Sequence, residues 1–383
     1  MQASSAQDGR YSFICEWYDN NAAIIRRYQF LFYPNDNTIE MYDLKNRRQF
    51  LKRSQCNSVH LKDLYVGSIV NVHSRQLTLV EYADDFTKRA LTNVKQKTLG
   101  LIKPDAISKF GPIIDMTYKQ GFVVTNAKMT RLTRGQAEEF YREHSGKPFY
   151  NNLVSFMSSG PIVAMELITN NGIGEWRTLL GPTDSATARS DAPGSIRAKF
   201  GTDNTRNACH GSDSMESADR EISFFFGQPA AFPNNASLRD CTCCIIKPSA
   251  IKEGLAGQIM TAICNEGFEV TAMEMFHMEK ANSEEFFEVY KGVVTEYMEM
   301  VDELTSGACY VLEISSPSGK FDNVAKAFRE FVGPADPEIA RTLRPRTLRA
   351  RFGVNKVNNA VHCTDLPEDA LLETEYFFRI LSQ

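Results

Sequence analysis

From residue 98 onward the hydrophobic pattern alternates between two periods. Thr98–Ile102 is a short apolar run that stops at Lys103-Pro104, the pattern of a buried strand. Pro112–Gln120 carries apolar positions at helical spacing and halts before Gly121, a C-terminal stop signal. Phe122–Met129 is β-branched and predicts a strand, Arg134–His144 and Tyr150–Ser158 predict helices, and Pro161–Ile168 predicts another buried strand. Ser214–Phe226 predicts a helix, with Asp213 before it as N-cap and Glu216 three residues on. Asp365 and Glu368 repeat that cap signal 152 residues later. Mixed strands and helices of these lengths predict an α/β or α+β sandwich, with strand order left open.

The first 91 residues carry a different pattern. Tyr11–Tyr18, Tyr28–Tyr33, Thr38–Tyr42, Phe50–Arg53, Ser68–Val72 and Leu77–Tyr82 read as short strands. Pro34-Asn35-Asp36-Asn37 separates two of them as a hairpin turn, and Asp84–Leu91 reads as a closing helix. This is a small, mostly β module without a legible catalytic constellation.

The rest of the chain repeats itself. Thr98-Leu-Gly-Leu-Ile-Lys103-Pro-Asp-Ala-Ile is echoed by Thr242-Cys-Cys-Ile-Ile-Lys247-Pro-Ser-Ala-Ile. Arg177, Gly181-Pro182, Arg197, Phe200-Gly201, Asn207 and His210 recur 152 residues on as Arg329, Gly333-Pro334, Arg349, Phe352-Gly353, Asn359 and His362. That period is too long for a solenoid and fits a duplicated domain. Three parts are expected: residues 1–91, a first repeat over 96–227 and a second over 240–383. Gly227–Ser237, rich in turn formers, reads as the linker between the repeats.

Composition narrows the function classes. The 383 residues carry 43 Lys and Arg against 47 Asp and Glu, a net charge of −4. That balance argues against a surface that grips nucleic acid or an anionic membrane as a whole, but allows a local phosphate pocket. No apolar run reaches the length of a transmembrane helix, and the polar start lacks the apolar core of a secretory leader. With nine cysteines, an odd number, a reducing intracellular compartment is expected. Cys241-Thr-Cys-Cys244 contains a C-x-x-C spacing without a second pair, so packing thiols are the expected reading.

The candidate chemistry gathers in the first repeat. Lys103, Arg177, Arg197 and His210, with Thr183, Asn207, Ser212 and Glu221, form the set. Two guanidiniums and an amine suit several phosphate oxygens better than one carboxylate. A neutral imidazole attacking phosphorus needs its other nitrogen oriented, and Glu221 on the following helix is placed to do that. No Gly-rich Walker loop precedes Lys103. Spacing alone leaves a structural His and salt-bridged arginines as the alternative.

Asn207-Ala-Cys-His210-Gly-Ser212-Asp resembles the Asn-x-x-His-Gly-Ser-Asp signature of nucleoside diphosphate kinases. Ile102-Lys103-Pro-Asp105, Lys147-Pro-Phe149, Ser159-Gly-Pro, Leu180-Gly-Pro-Thr183 and Gly194-Ser-Ile-Arg197 resemble that family's motifs in the same order. The resemblance covers both repeats. It implies an α+β architecture of two ferredoxin-like βαββαβ domains with antiparallel sheets. It also implies that His210 carries the phosphoryl group between nucleoside triphosphates and diphosphates, oriented by Glu221 and Ser212. Lys103, Arg177, Thr183 and Arg197 would bind phosphates, with Tyr141 nearby. Phe149 would stack on the base, Asn207 would bond the sugar, and Mg2+ would arrive with the nucleotide rather than on protein ligands. Thr187–Ala192 reads as part of a loop about three residues longer than the family's.

In the second repeat Lys247, Arg329, Arg349, Asn359, His362, Thr364 and Glu373 stand at matching positions. Ala335 replaces the phosphate-site Thr, Cys363 replaces the Gly after the His, and Tyr290–Tyr297 does not align with the base platform. A weak or inactive site is expected there. The order of parts, with Arg26–Tyr33 and Lys45–Arg53, resembles the family's two-repeat type, which carries an N-terminal DM-type, pleckstrin-like β domain. That resemblance implies docking on tubulin or microtubules and on axonemal or γ-tubulin complex proteins, in cilium or centrosome; the charge balance and the short apolar runs lead us to expect no nucleic-acid or membrane partner. A mainly structural microtubule-associated role with vestigial catalysis is the alternative it leaves.

Overall fold

The computed structural model describes residues 9–19, 22–73, 75–92, 95–227 and 232–382. The polar start at 1–8 and the linker stretch 228–231 lie outside the described residues. Residues 1–95, with the short segment 305–307, form one compact unit, and 96–304 with 308–383 form the other.

In the first unit six strands form one antiparallel sheet: β1 (Tyr11–Asp19), β2 (Ile24–Tyr33), β3 (Thr38–Asp43), β4 (Arg48–Gln55), β5 (Ile69–Val72) and β6 (Arg75–Tyr82), in the order β4-β3-β2-β1-β6-β5. All six predicted strands are present. Alternation along β1–β3 puts Phe13, Tyr28, Phe30, Phe32, Ile39 and Met41 on one buried face. Edge strand β4 is mostly exposed and carries Arg48, Lys52 and Arg53, the charged residues that discourage edge-to-edge pairing. The closing helix is Asp85–Thr92.

The second unit is built on one eight-stranded sheet. Its strands are β7 (Lys95–Ile102), β8 (Val123–Arg131), β9 (Pro161–Asn170) and β10 (Cys209–Gly211) from the first repeat. The second repeat supplies β11 (Cys241–Ile246), β12 (Glu269–Phe276), β13 (Cys309–Ser315) and β14 (Val361–Cys363). The order β10-β7-β9-β8-β12-β13-β11-β14 gives each repeat the 4-1-3-2 arrangement of a ferredoxin-like fold, so the architecture is α+β.

The two repeats meet edge to edge. β8 and β12 pair antiparallel with Lys128 opposite Glu274, and the Lys128 Nζ lies 3.0 Å from Glu274 Oε1. Helices Phe110–Lys119 and Ala256–Glu266 pack against one another in close backbone approach. A Cβ on Gly111 would stand 2.8 Å from the Thr261 nitrogen, and one on Gly257 would stand 2.2 Å from the Asp115 nitrogen. The Tyr118 and Tyr310 hydroxyls meet at 3.1 Å, so residues of both repeats share one buried core. The described part of the linker packs as well: Pro233 O accepts from Thr130 Oγ1 at 2.8 Å and Asn234 Nδ2 donates to Phe378 O at 2.7 Å.

Three local expectations are corrected. Ser214, not Asp213, caps the helix Met215–Phe226, its hydroxyl accepting from Ser217 N. In the second repeat the expected cap at Asp365 is replaced by a 3-10 turn, Pro367–Asp369, leading into helix Ala370–Glu375. Residues 185–191 are a helix rather than loop, because Asp184 caps Ser185–Asp191 by accepting from Thr187 N at 2.8 Å.

Candidate functional site

His210 lies on β10, which pairs with the end of β7 so that His210 faces Leu101 across the ladder. The chain enters β10 through Ala208 at φ 67°, a left-handed position that costs a non-glycine residue on the order of 1 kcal/mol. Asp105 Oδ2 accepts from Ala208 N at 3.1 Å and Lys103 N donates to Ala208 O at 2.8 Å, which holds the turn. Both partners belong to the Lys-Pro-Asp segment that ends β7.

The helix Met215–Phe226 returns a carboxylate to the imidazole. Glu221 Oε2 lies 2.9 Å from His210 Nε2 and accepts from Ser212 Oγ at 2.7 Å. Burial pushes the Glu221 carboxyl up, but the bonds from His210 and Ser212 outweigh it and hold the group below the usual carboxylate range. An ionised Glu221 can only accept, so neutral His210 donates its Nε2 proton to it. Nδ1 is left with a free lone pair, and the assignment follows from the hydrogen-bond network. The ring is wedged edge-on by Phe140 at 5.4 Å and Tyr141 at 6.0 Å. Its backbone carbonyl accepts from Trp176 Nε1 at 3.2 Å. Sequence reasoning names Asp105 only as part of a motif and gives Trp176 and Phe140 no place; the fold brings all three to the histidine segment.

The cations converge beside it. Lys103 Nζ donates to Asn207 Oδ1 at 2.7 Å and to Thr205 O at 3.2 Å, and burial, with Arg197 nearby, lowers its pKa to about 8. Arg197 donates to Gly181 O at 2.8 Å and Cys209 O at 3.2 Å, while its Nε is buried without a partner among the described residues. Asn207 is already heavily used: its Nδ2 donates to Thr183 O and Asn204 O, both at 3.0 Å. One lone pair on Oδ1 remains for a sugar hydroxyl. Arg177 is exposed, close enough to Asp213 to help depress that carboxyl, although the Ser217 hydroxyl bonded to it contributes most. Phe149, 45% exposed, stands just before helix Tyr150–Met157, 5.7 Å from the His144 ring. Tyr141 is buried instead, and burial raises its hydroxyl pKa.

The second repeat keeps the inner half of this arrangement. His362 Nε2 lies 2.9 Å from Glu373 Oε2, which accepts from Thr364 Oγ1 at 3.0 Å. Arg349 donates to Gly333 O at 3.0 Å and Val361 O at 3.2 Å. Lys247 Nζ donates to Val357 O at 2.8 Å, and burial lowers its pKa to about 7. Asn359 Nδ2 donates to the carbonyl of Ala335, as Asn207 does to Thr183. Cys363 is tolerated where Gly211 stands because the large neighbour changes too. A Cβ on Gly211 would come within 2.4 Å of Trp176, and the matching position in the second repeat is Phe328.

The outer half differs. The fold resolves the segment that sequence did not align: Tyr150 and Tyr297 both donate their hydroxyls to the carbonyl of the preceding helix, at Glu138 and Glu284. Glu296 therefore stands where Phe149 does, and it pairs with Lys356 Nζ at 3.4 Å. The side chain of His362 is 6% exposed against 21% for His210. A cavity of about 900 Å³ opens over His362, with Lys247, Arg349, Glu296, Lys356 and Ile339 in its lining. Cys241, Cys243 and Cys244 are buried in β11, and burial pushes their thiols up, that of Cys241 to about 12. Among the described residues no helix is long and apolar enough to cross a membrane.

The nucleoside diphosphate kinase family matches residues 96–230 and 240–381, and the nucleoside diphosphate kinase 7 N-terminal PH domain matches residues 5–93. A nucleoside diphosphate kinase homolog 7 from Rattus norvegicus is 55% identical over 381 residues, spanning 99% of this chain and 95% of the relative. A nucleoside diphosphate kinase from Aquifex aeolicus is 50% identical over 133 residues, 34% of this chain and 94% of that one. A crystal structure of the Aquifex aeolicus enzyme, 48% identical, covers 35% of this chain and 96% of its own, with a TM-score of 0.34. With two matched repeats and a PH-type domain ahead of them, the chain belongs to the nucleoside diphosphate kinase family.

Proposed function

We infer that the first repeat transfers the γ-phosphoryl group of a nucleoside triphosphate to a nucleoside diphosphate through His210. The observation that carries this reading is the His210–Glu221 contact of 2.9 Å, which leaves Nδ1 as the nucleophilic nitrogen. In the first half-reaction the Nδ1 lone pair attacks the γ-phosphorus and the bond to the β-phosphate oxygen breaks, releasing the diphosphate. The imidazolium that forms keeps its proton on Nε2, hydrogen-bonded to the Glu221 carboxylate, whose negative charge offsets the ring's. The second half-reaction runs the same bond changes in reverse onto a new diphosphate. Lys103, Arg177 and Arg197 neutralise the phosphate oxygens, and Thr183 and Asn207 close the polar wall. Mg2+ would arrive with the nucleotide and would supply neutralisation of phosphate charge, with no protein ligand assigned to it. Phe149 presents a ring face without base-edge contacts, which suits tolerance of different bases.

The test is a phosphoenzyme assay with γ-labelled ATP on native chain, His210→Ala and His362→Ala. Acid-labile label on native chain and on His362→Ala, and none on His210→Ala, supports the reading. Absence of label on native chain, or its retention in His210→Ala, sinks it.

A second reading is favoured by the altered base position at Glu296 and the added PH-type module. The chain would serve as a structural component of axonemal or centrosomal microtubules, with catalysis secondary. Cosedimentation of the full chain with microtubules, unaffected by the double change His210→Ala, His362→Ala, is its expected outcome. Failure to associate with any tubulin assembly removes it.

A further inference from the structure

The two pockets treat one pair of matching residues in opposite ways. In the first repeat Asp213 is turned toward its own helix: its Oδ1 accepts from Ser217 Oγ at 2.5 Å. The Arg177 side chain then has no hydrogen bond or ion pair among the described residues and is exposed. In the second repeat Asp369 occupies the position of Ser217. A carboxylate at that position offers no hydrogen for a second carboxylate and repels it. Asp365, the counterpart of Asp213, points instead at the pocket mouth.

There it meets two donors. Arg329 Nη1 lies 2.6 Å from Asp365 Oδ1 and also donates to the Asp365 backbone carbonyl. Tyr290 donates its hydroxyl to Asp365 Oδ2 at 2.7 Å. Tyr290 stands where the first repeat has His144, and only the longer phenol carries a hydroxyl out to this carboxylate. Both carboxylate oxygens are engaged, and Arg329, Tyr290 and Asp365 all line the cavity over His362.

A carboxylate set between a guanidinium and a hydroxyl resembles one face of a phosphate group. We propose that Asp365 is a specificity-determining residue of the second pocket: it occupies the place of a ligand's outer phosphate on Arg329, so that the pocket refuses nucleoside diphosphates and triphosphates although its His362–Glu373 pair is intact. This rests on the reading that Arg177, its counterpart, binds phosphate in the first repeat. An isolated exposed ion pair is weak and would only compete. Here one carboxylate holds two donors at once and places its negative charge where an anionic ligand must enter, so the effects add.

Asp365 is 42% exposed and its replacement leaves the core untouched. Equilibrium dialysis of the full chain with labelled ADP and Mg2+ reads the proposal as a stoichiometry. The native chain is expected to bind one ADP, and Asp365→Asn and Asp365→Ala two. Adding Arg329→Gln to Asp365→Asn is expected to return the count to one. Phe149→Ala weakens the site already present in native chain and leaves the gained site unchanged. Two ADP on native chain, or one on both Asp365 variants, overturns the proposal. No ADP on native chain with one on Asp365→Asn would overturn the reading of the first repeat while leaving this one standing.

Discussion

His210 Nε2 and Glu221 Oε2 lie 2.9 Å apart, and His362 Nε2 and Glu373 Oε2 repeat that distance in the second repeat. Two copies of one histidine–carboxylate contact survive in pockets whose outer walls have diverged. Because the contact consumes Nε2, the phosphoryl group is expected on Nδ1. Phosphorus NMR of the denatured, base-stabilised phosphoenzyme checks this by distinguishing the two phosphohistidine isomers. Glu221→Gln is expected to lower kcat by about 100-fold with a smaller change in KM, since it removes charge from behind the imidazolium rather than from the nucleotide. Steady-state kinetics with an unchanged melting temperature is the supporting result.

Lys103 sets a pH limit on the first pocket. Its pKa of about 8 means the amine is cationic below that pH and neutral above it. Affinity for ADP is therefore expected to fall as pH rises through 8, because the neutral amine no longer offsets a phosphate charge. Binding between pH 8 and 9 should take up a proton, since the anion restores the cation. Titration calorimetry in buffers of different ionisation enthalpy reads that proton. Lys247, at about 7, is expected to impose the same loss one pH unit lower on the site gained in Asp365→Asn.

The seam between the repeats offers a stability test. The Lys128 and Glu274 side chains are 11% and 15% exposed, and Ser382 Oγ also donates to Glu274 Oε2 at 3.0 Å. Lys128→Met leaves that carboxylate mostly buried without its cation and is expected to cost about 2–3 kcal/mol. The double change Lys128→Met, Glu274→Met should recover part of the loss. Urea unfolding of the single and double variants measures both, and additive losses would show that the pair is not coupled.

Gly257→Ala is expected to be more disruptive than its small volume suggests. The added methyl would stand 2.2 Å from the Asp115 nitrogen of the helix packed against it, which must move away. A loss of about 1–3 kcal/mol is expected, read by thermal unfolding. Gly194→Ala, with open space around the new Cβ, serves as the control.

Much of the fold was legible because its signals are local. The apolar run Thr98–Ile102 and the β-branched stretch Phe122–Met129 need only their own periodicity to declare strands. The same holds for the six short strands of the first unit. Helices Gly172–Leu180 and Ile196–Phe200 were not predicted. The second is only five residues long, and the first begins at a glycine after Asn171 in the left-handed region, a weak start signal. The cap at Asp213 misled because Ser214 competes for the same role one residue later. Tyr290–Tyr297 resisted alignment because its side chains changed while its backbone did not; the hydroxyl bonds of Tyr150 and Tyr297 supply the register that residue identity had lost.

Sequence by itself determined that the chain holds two copies of one domain behind a β module, and which histidine, lysine and arginines belong together in each copy. The 152-residue spacing of the histidines and arginines, and the repeated Lys-Pro segment for the lysines, carry that information without coordinates. Tertiary structure alone decided that the copies share one sheet through β8 and β12, because strand-edge pairing depends on which edge is left open after each repeat folds. It alone separated the two pockets as well. Asp213 and Asp365 are the same residue type at matching positions, and each turns toward whichever donor its neighbours present: the Ser217 hydroxyl in one repeat, Arg329 and Tyr290 in the other.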